Sequence, residues 1–333
     1  MRLTPAMENV LHRLLFCSFL ALVMQPFLQP ANARPQQPET GASSCVSPEM
    51  ARLIVQERYG VRVNSPRDGG DDTAAAGENS RGIIATEAPE TAKTMTEAHK
   101  WFQKAARRGY APAELNLAVL SLAGWGMRPN AGEALYWLHA AAQQGYAPAF
   151  FDLGIVYLEG CGVHRDYTEA FRWFEKGAIA GDAAAQTNLG YLYDQGSGVA
   201  QNRSEAAQWY RRAADGGELR AQYNLGDLYL RGEGVPHDES TAFAWFHKAA
   251  LGGHAEARIM LGSMYAAGRG TPADSAAAYM WLSLAVLQGD SRANAQLDVL
   301  RSQMTREQIM EATGRARSLA QTPLRQLRQS LFH

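Results

Sequence analysis

Cys161, His164 and Asp166 are the one local group of metal-ligating side chains in the chain. Thiolate, imidazole and carboxylate are what a zinc ion takes, but a structural site closes with four ligands. The positions related to Cys161 by multiples of 36 residues are not ligand-like as a set: the neighbouring loops hold Trp125, Ser197, Glu233 and Arg269. His99, His139, His164, His237, His247 and His254 show neither HxxxH nor HExxH spacing. No Ser-Lys or nucleophile-elbow pattern is present. Glycine pairs at 124/126, 160/162, 196/198, 232/234 and 268/270 invite comparison with a phosphate-cradling loop. That chemistry needs a preceding strand and a following Lys-Ser/Thr, and it needs only one copy. The expectation is therefore no catalytic residue, no metal and no cofactor. Cys45 and Cys161 stay open to two readings: a disulfide in an oxidising compartment, or two unrelated small residues.

What the chain repeats is a scaffold. Trp101, Trp137, Trp173, Trp209, Trp245 and Trp281 stand 36 residues apart, as do Gly109 to Gly289 and Leu117 to Leu297. Two all-alanine columns run from Ala98 to Ala278 and from Ala113 to Ala293. A fixed period of this size means stacked supersecondary units. Thr94, Asn130, Asp166, Asn202, Asp238 and Asp274 form an N-cap column. Glu97, Glu133, Glu169 and Glu205 follow three residues later, as in a capping box. The first helix of each unit is expected to bury Ala98, Trp101 and Ala105, and to stop at Gly109. Pro112 and Pro148 fall at the first turn of a second helix, and Asp182 and Asp290 read as its N-caps. The second helix buries Ala113, Leu117 and Leu120. The first glycine of each Gly-x-Gly pair caps it, and the second turns the chain toward the next unit.

The pattern A-x-x-W-[FY]-x-K-A-A-x-x-G followed by A-x-x-N-L-G-x-L-Y-x-x-G-x-G-V resembles the Sel-one-like repeat family, longer relatives of the tetratricopeptide repeat. "AAQWYRRAADGGELRAQYNLGDLYLRGEGV" matches almost throughout, and the resemblance covers about residues 95–300. The first unit departs from it, with Ala118 for the usual Gly and Ser121 for the usual Tyr. The sixth lacks the Gly-x-Gly turn. The resemblance implies an all-α fold: a right-handed α/α superhelical solenoid of six 36-residue helix-turn-helix repeats, closed by a capping helix over 305–320 that opens on a Thr305/Gln308 capping box. It also implies protein binding without naming a partner. Cysteine-rich relatives are linked to β-lactam hydrolysis, but they carry paired cysteines in each unit and this chain does not.

Outside the repeats, Arg2 and Arg13 precede an apolar run from Leu14 to Met24, and Ala31-Asn32-Ala33 closes the segment. This describes a signal peptide over 1–33, cleaved before Arg34. No lipobox-like cluster precedes Cys17. The N-terminal segment 34–63 contains a short helix, "SPEMARLIVQERYG", with Ser47 as N-cap and Gly60 as stop. Residues 64–94 read as a flexible acidic linker, 95–304 as the solenoid, and 321–333 as a basic tail. Without the leader the chain has 30 basic and 32 acidic residues, which gives no electrostatic reason to expect nucleic acid. The surface columns of the first helices, concave in tetratricopeptide arrays, supply the candidate partner site: Lys100, Tyr136, Arg172 and Gln208 on one stripe, and His139, Glu175, Arg211 and His247 on the next. The expected protein is a periplasmic or secreted monomer that adapts a protein or peptide partner. The alternatives are a weak cell-wall or β-lactam hydrolase, or a structural spacer.

Overall fold

A computed structural model describes residues 71–87, 92–125 and 128–321. The described residues form fourteen α-helices and one short 3-10 turn, with no strand among them. They divide into two compact units, one ending at Trp209 and one beginning at Tyr210. The signal peptide, the helix at Ser47–Gly60, Cys45 and the tail beyond Gln321 lie outside the described residues.

The N-terminal unit contains α1 (Asp71–Glu87), α2 (Ala92–Ala106), α3 (Ala111–Ala123), α4 (Ala131–Gln143), α5 (Ala147–Glu159), α6 (Tyr167–Ile179) and α7 (Ala183–Gln195). It also takes the first part of α8 (Arg203–Asp215). Each helix from α1 to α6 packs on the one that follows it. The C-terminal unit continues with α9 (Leu219–Arg231), α10 (Glu239–Gly252), α11 (Ala255–Ala267) and α12 (Ser275–Leu287). The short turn Ser291–Ala293 then leads into α13 (Asn294–Gln303) and α14 (Arg306–Gln321). The last helix lies on α12, with Ala312 and Ala316 fully buried among Tyr279, Trp281 and Leu284. Its start is a complete capping box: Thr305 N–H donates to Gln308 Oε1 at 2.9 Å, and Gln308 N–H returns to Thr305 Oγ1 at 3.3 Å.

The all-alanine columns lie inside both units. Every member from Ala98 to Ala278 and from Ala113 to Ala293 is fully buried. The N-cap column also forms: the side chains of Asn130, Asp166, Asn202, Asp238 and Asp274 accept from amides two or three residues on. In these helices the N-cap's own amide does not wait for the following glutamate. It donates to a carbonyl nine residues earlier, as Asp166 does to Tyr157 and Asp274 to Tyr265, both at 2.9 Å. That bond stitches each first helix to the end of the preceding second helix. Gly198 closes the same corner. It has φ +72°, and a Cβ there would meet the Tyr167 carbonyl oxygen at 2.2 Å.

Three expectations are corrected. Residues 64–94 are not a linker throughout, since α1 occupies Asp71–Glu87. Apart from Ile83 its buried residues are small or polar, which is why no apolar period marks it. Ala75 and Ile83 are buried, Glu78 pairs with Lys104 (2.8 Å) and Arg108 (3.2 Å), and Asn79 accepts from Asn116 Nδ2 at 3.0 Å. Thr94 lies inside α2, which begins two residues before it, so it is not the N-cap. The tryptophans are not the deepest residues of the first helices. The position after each one is: Phe102, Leu138, Phe174, Tyr210, Phe246 and Leu282 are at most 1% exposed. From Trp101 to Trp209 the indole is only half-buried, and only Trp245 and Trp281 are buried. The residue facing the phenylalanine explains the close fit. A Cβ on Gly154 would lie 2.5 Å from the Phe174 ring, and one on Gly82 would lie 2.5 Å from Phe102.

Candidate functional site

The two candidate stripes have different surroundings. On the first, Lys100, Tyr136, Arg172 and Gln208 are all exposed and all belong to the N-terminal unit. Tyr136 is 65% exposed, although an aromatic side chain gains by burial. Its ring meets Trp137 edge-on with centroids 4.9 Å apart. Arg172 is paired along its own helix with Glu169.

The second stripe is turned against the tryptophans. His139 of α4 sits edge-on to Trp173 of α6 at 5.4 Å. In the C-terminal unit His247 does the same to Trp281 at 5.8 Å, and the Arg211 guanidinium lies 5.6 Å from the Trp245 ring. Arg211 also hydrogen-bonds the Tyr229 hydroxyl. Each is a contact from one first helix to the tryptophan of the next, 34 residues on. Burial lowers the pKa of both histidines, and at His139 the nearby Lys176 charge adds to the effect. Both are therefore neutral rings at pH 7. Glu175 on the same stripe is half-buried.

The indoles also meet lysines of their own helices. Lys176 lies 4.1 Å from the Trp173 ring centre, Lys248 4.1 Å from Trp245, and Lys104 5.4 Å from Trp101. The sequence signal was Trp-x-x-Lys, one helical turn apart. These lysines also suit the C-terminal end of their helices.

The ligand-like trio has other work. Cys161 is disulfide-bonded and 3% exposed, His164 is exposed, and Asp166 caps α6. Among the described residues no group of three His, Cys, Asp or Glu is placed to hold a metal ion. No described helix is long and apolar enough to cross a membrane.

The Sel1 repeat family matches at residues 95–110, 111–146, 147–182, 183–218, 219–254 and 255–290. The chain belongs to the Sel1 repeat family. It is similar to a Sel1 repeat protein from Oxalobacter formigenes of known crystal structure, at 30% identity over 75% of this chain and 76% of that one, with a TM-score of 0.61. Weaker likenesses include c5321, a protective antigen of uropathogenic Escherichia coli strains displaying an SLR fold (22% identity, 84% and 72% covered, TM-score 0.47). Another is the immunity protein Pa5087 from Pseudomonas aeruginosa (21% identity, 68% and 84% covered, TM-score 0.43). None of the curated proteins matches the chain significantly. Sel1 repeats are in general protein–protein interaction scaffolds, typically without catalysis.

Proposed function

We propose that the protein is an exported, non-enzymatic adaptor, periplasmic or secreted, that binds a protein or peptide segment along its first-helix stripe. The observation that carries this is the open row Lys100, Tyr136, Arg172 and Gln208, with an aromatic ring left in solvent beside three polar side chains. Exposed aromatics flanked by arginine are what interface hot spots are made of. His139, Arg211 and His247 act one step back, because they lie on the tryptophans that fix the spacing of the first helices. The leader-like segment at 1–33 supports export.

The test is crosslinking of the full chain in its native envelope, comparing wild type with a Lys100→Ala/Tyr136→Ala/Arg172→Ala variant. The expected result is a reproducible protein partner whose capture falls at least about tenfold in the variant with helicity unchanged. Equal capture by both removes the stripe as the site. No reproducible partner, together with turnover of a β-lactam or muropeptide by the pure protein, overturns the adaptor reading.

A further inference from the structure

Helix α1 is the second helix of a unit whose first helix is missing from the described residues. Its register is fixed by packing: Gly82 meets Phe102 with the same three distances, 2.5, 2.6 and 2.9 Å, with which Gly154 meets Phe174 two repeats later. In that register Gly77, Arg81 and Ile84 match Ala149, Leu153 and Val156 of α5 and Ala185, Leu189 and Leu192 of α7. Those six are at most 2% exposed, because each second helix lies against the first helix of its own unit. On α1 the three are exposed, Ile84 at 59%. The same absence shows on α2. An open groove of about 610 Å³ runs along Lys93, Thr96, Glu97, Lys100, Trp101 and Lys104. Trp173 meets the His139 ring of the first helix before it, whereas no described first helix precedes Trp101, whose ring has Arg81 at 4.8 Å and Lys104 at 5.4 Å. One helix in front of α1 would cover both places.

We propose that residues 47–60 of this chain are that helix, held there by a disulfide between Cys45 and Cys161. Cys161 directly follows α5, and a Cβ on its neighbour Gly162 would touch Ala131, the first residue of α4. The bonded cysteine therefore marks the end where second helices finish and first helices begin. Consecutive helices are antiparallel, as Glu78 facing Lys104 and Arg108 shows for α1 and α2, so α1 ends there and begins at the opposite end. Residues 46–70 must cross from one end to the other. Fourteen helical residues span about 21 Å, close to the ~25 Å of α1 itself, and residues 61–70 remain for the turn. A helix at 47–60 places Met50, Leu53, Ile54 and Glu57 on one face at i, i+3, i+4 and i+7. That face supplies apolar groups for Ile84 and Trp101, and a carboxylate for Arg81 beside the Trp101 ring.

The experiment uses the full oxidised chain. Non-reducing peptide mapping should recover Cys45 joined to Cys161, and amides of 50–60 should exchange at least about 100-fold slower than unstructured chain. Ile84→Glu, which alters only an exposed residue of α1, should abolish that protection while the circular dichroism of the repeats persists. A Cys17–Cys161 link overturns the proposal, as does free exchange at 50–60 in the presence of the Cys45–Cys161 bond. Protection that Ile84→Glu leaves intact overturns it too. Protection that rises with protein concentration does so as well, because the occupant is then a second copy.

Discussion

Glu114 in the N-terminal unit and Arg258 in the C-terminal unit occupy the same position in the repeat, four units apart. Both are buried, at 4% exposure each, and both stand on a second helix beside the end of a first helix. Arg258 Nε donates to the Ala250 carbonyl at 2.9 Å. Gln222 and Gln186, in the units before it, donate to Ala214 and Ala178 at 3.1 and 3.2 Å. These carbonyls belong to helix C-termini, where backbone acceptors are left over and the macrodipole is negative. A guanidinium or an amide answers that need. An ionised carboxylate has no hydrogen to give. Glu114 instead accepts from Gln144 Nε2 at 2.8 Å, and burial raises its pKa to about 6 against the pull of that bond. Burial also lowers Arg258, to about 10, yet it remains charged at pH 7. One backbone site thus holds an acid that resists ionisation and a base that tolerates it. Where the column carries a donor, at Gln186, Gln222 and Arg258, it serves that carbonyl, and the charge is left to each unit.

Reversing the charge at the basic site should have the largest effect. Arg258→Glu strips the Ala250 carbonyl of its donor and buries an anion at the negative end of α10. We expect a loss on the order of 3–5 kcal/mol in chemical denaturation. A loss below about 1 kcal/mol would mean that the site relaxes and that its charge does not matter.

Glu114→Gln is the converse change, and its sign depends on pH. The folded pKa of Glu114, about 6, lies above its ordinary value of 4.5. Between the two, the folded state holds the proton more tightly than the unfolded one, so stability falls as pH rises through this window and stays lower above it. The amide removes that loss and gains a donor for the site. Glu114→Gln should therefore stabilise by about 2 kcal/mol at pH 7, with the gain gone below about pH 4. A gain equal at both pH values would assign the effect to hydrogen bonding instead of ionisation.

The same contrast shows what the sequence made legible. The 36-residue lattice, the alanine columns and the caps at Asn130 to Asp274 follow from residue type at fixed spacing, because small side chains and short polar acceptors have few other uses there. The column holding Glu114, Phe150, Gln186, Gln222 and Arg258 varies in type, and the bond shared by Gln186, Gln222 and Arg258 is visible only when the carbonyl eight residues earlier is placed. Helix α1 escaped notice for a related reason. Apart from Ile83 its buried positions are small or polar, among them Ala75, Asn79, Gly82 and Thr86, which look like linker until Asn116 and Phe102 are set against them. The open stripe was legible as a set of columns. The division between solvent-facing Tyr136 and ring-stacked His139 was not, because three positions on a helix do not say which neighbour each will meet.

The smallest effect is expected at Gln186, and it isolates the acid from its surroundings. Gln186 is half-buried, and its bond to the Ala178 carbonyl is the longest of the three. Gln186→Ala removes one neutral hydrogen bond and should destabilise by about 0.5–1 kcal/mol at any pH. Gln186→Glu removes the same bond and adds a carboxylate near the end of α6. At pH 7 it should lose about 1 kcal/mol more than the alanine variant. That excess should disappear once the side chain is protonated, below about pH 4. Water reaches position 186 more readily than 114, which keeps the pH-dependent part smaller than at Glu114. Identical pH profiles for the two variants would show that the carbonyl site does not discriminate against an anion. The behaviour of Glu114 would then belong to its own burial and not to its place in the repeat.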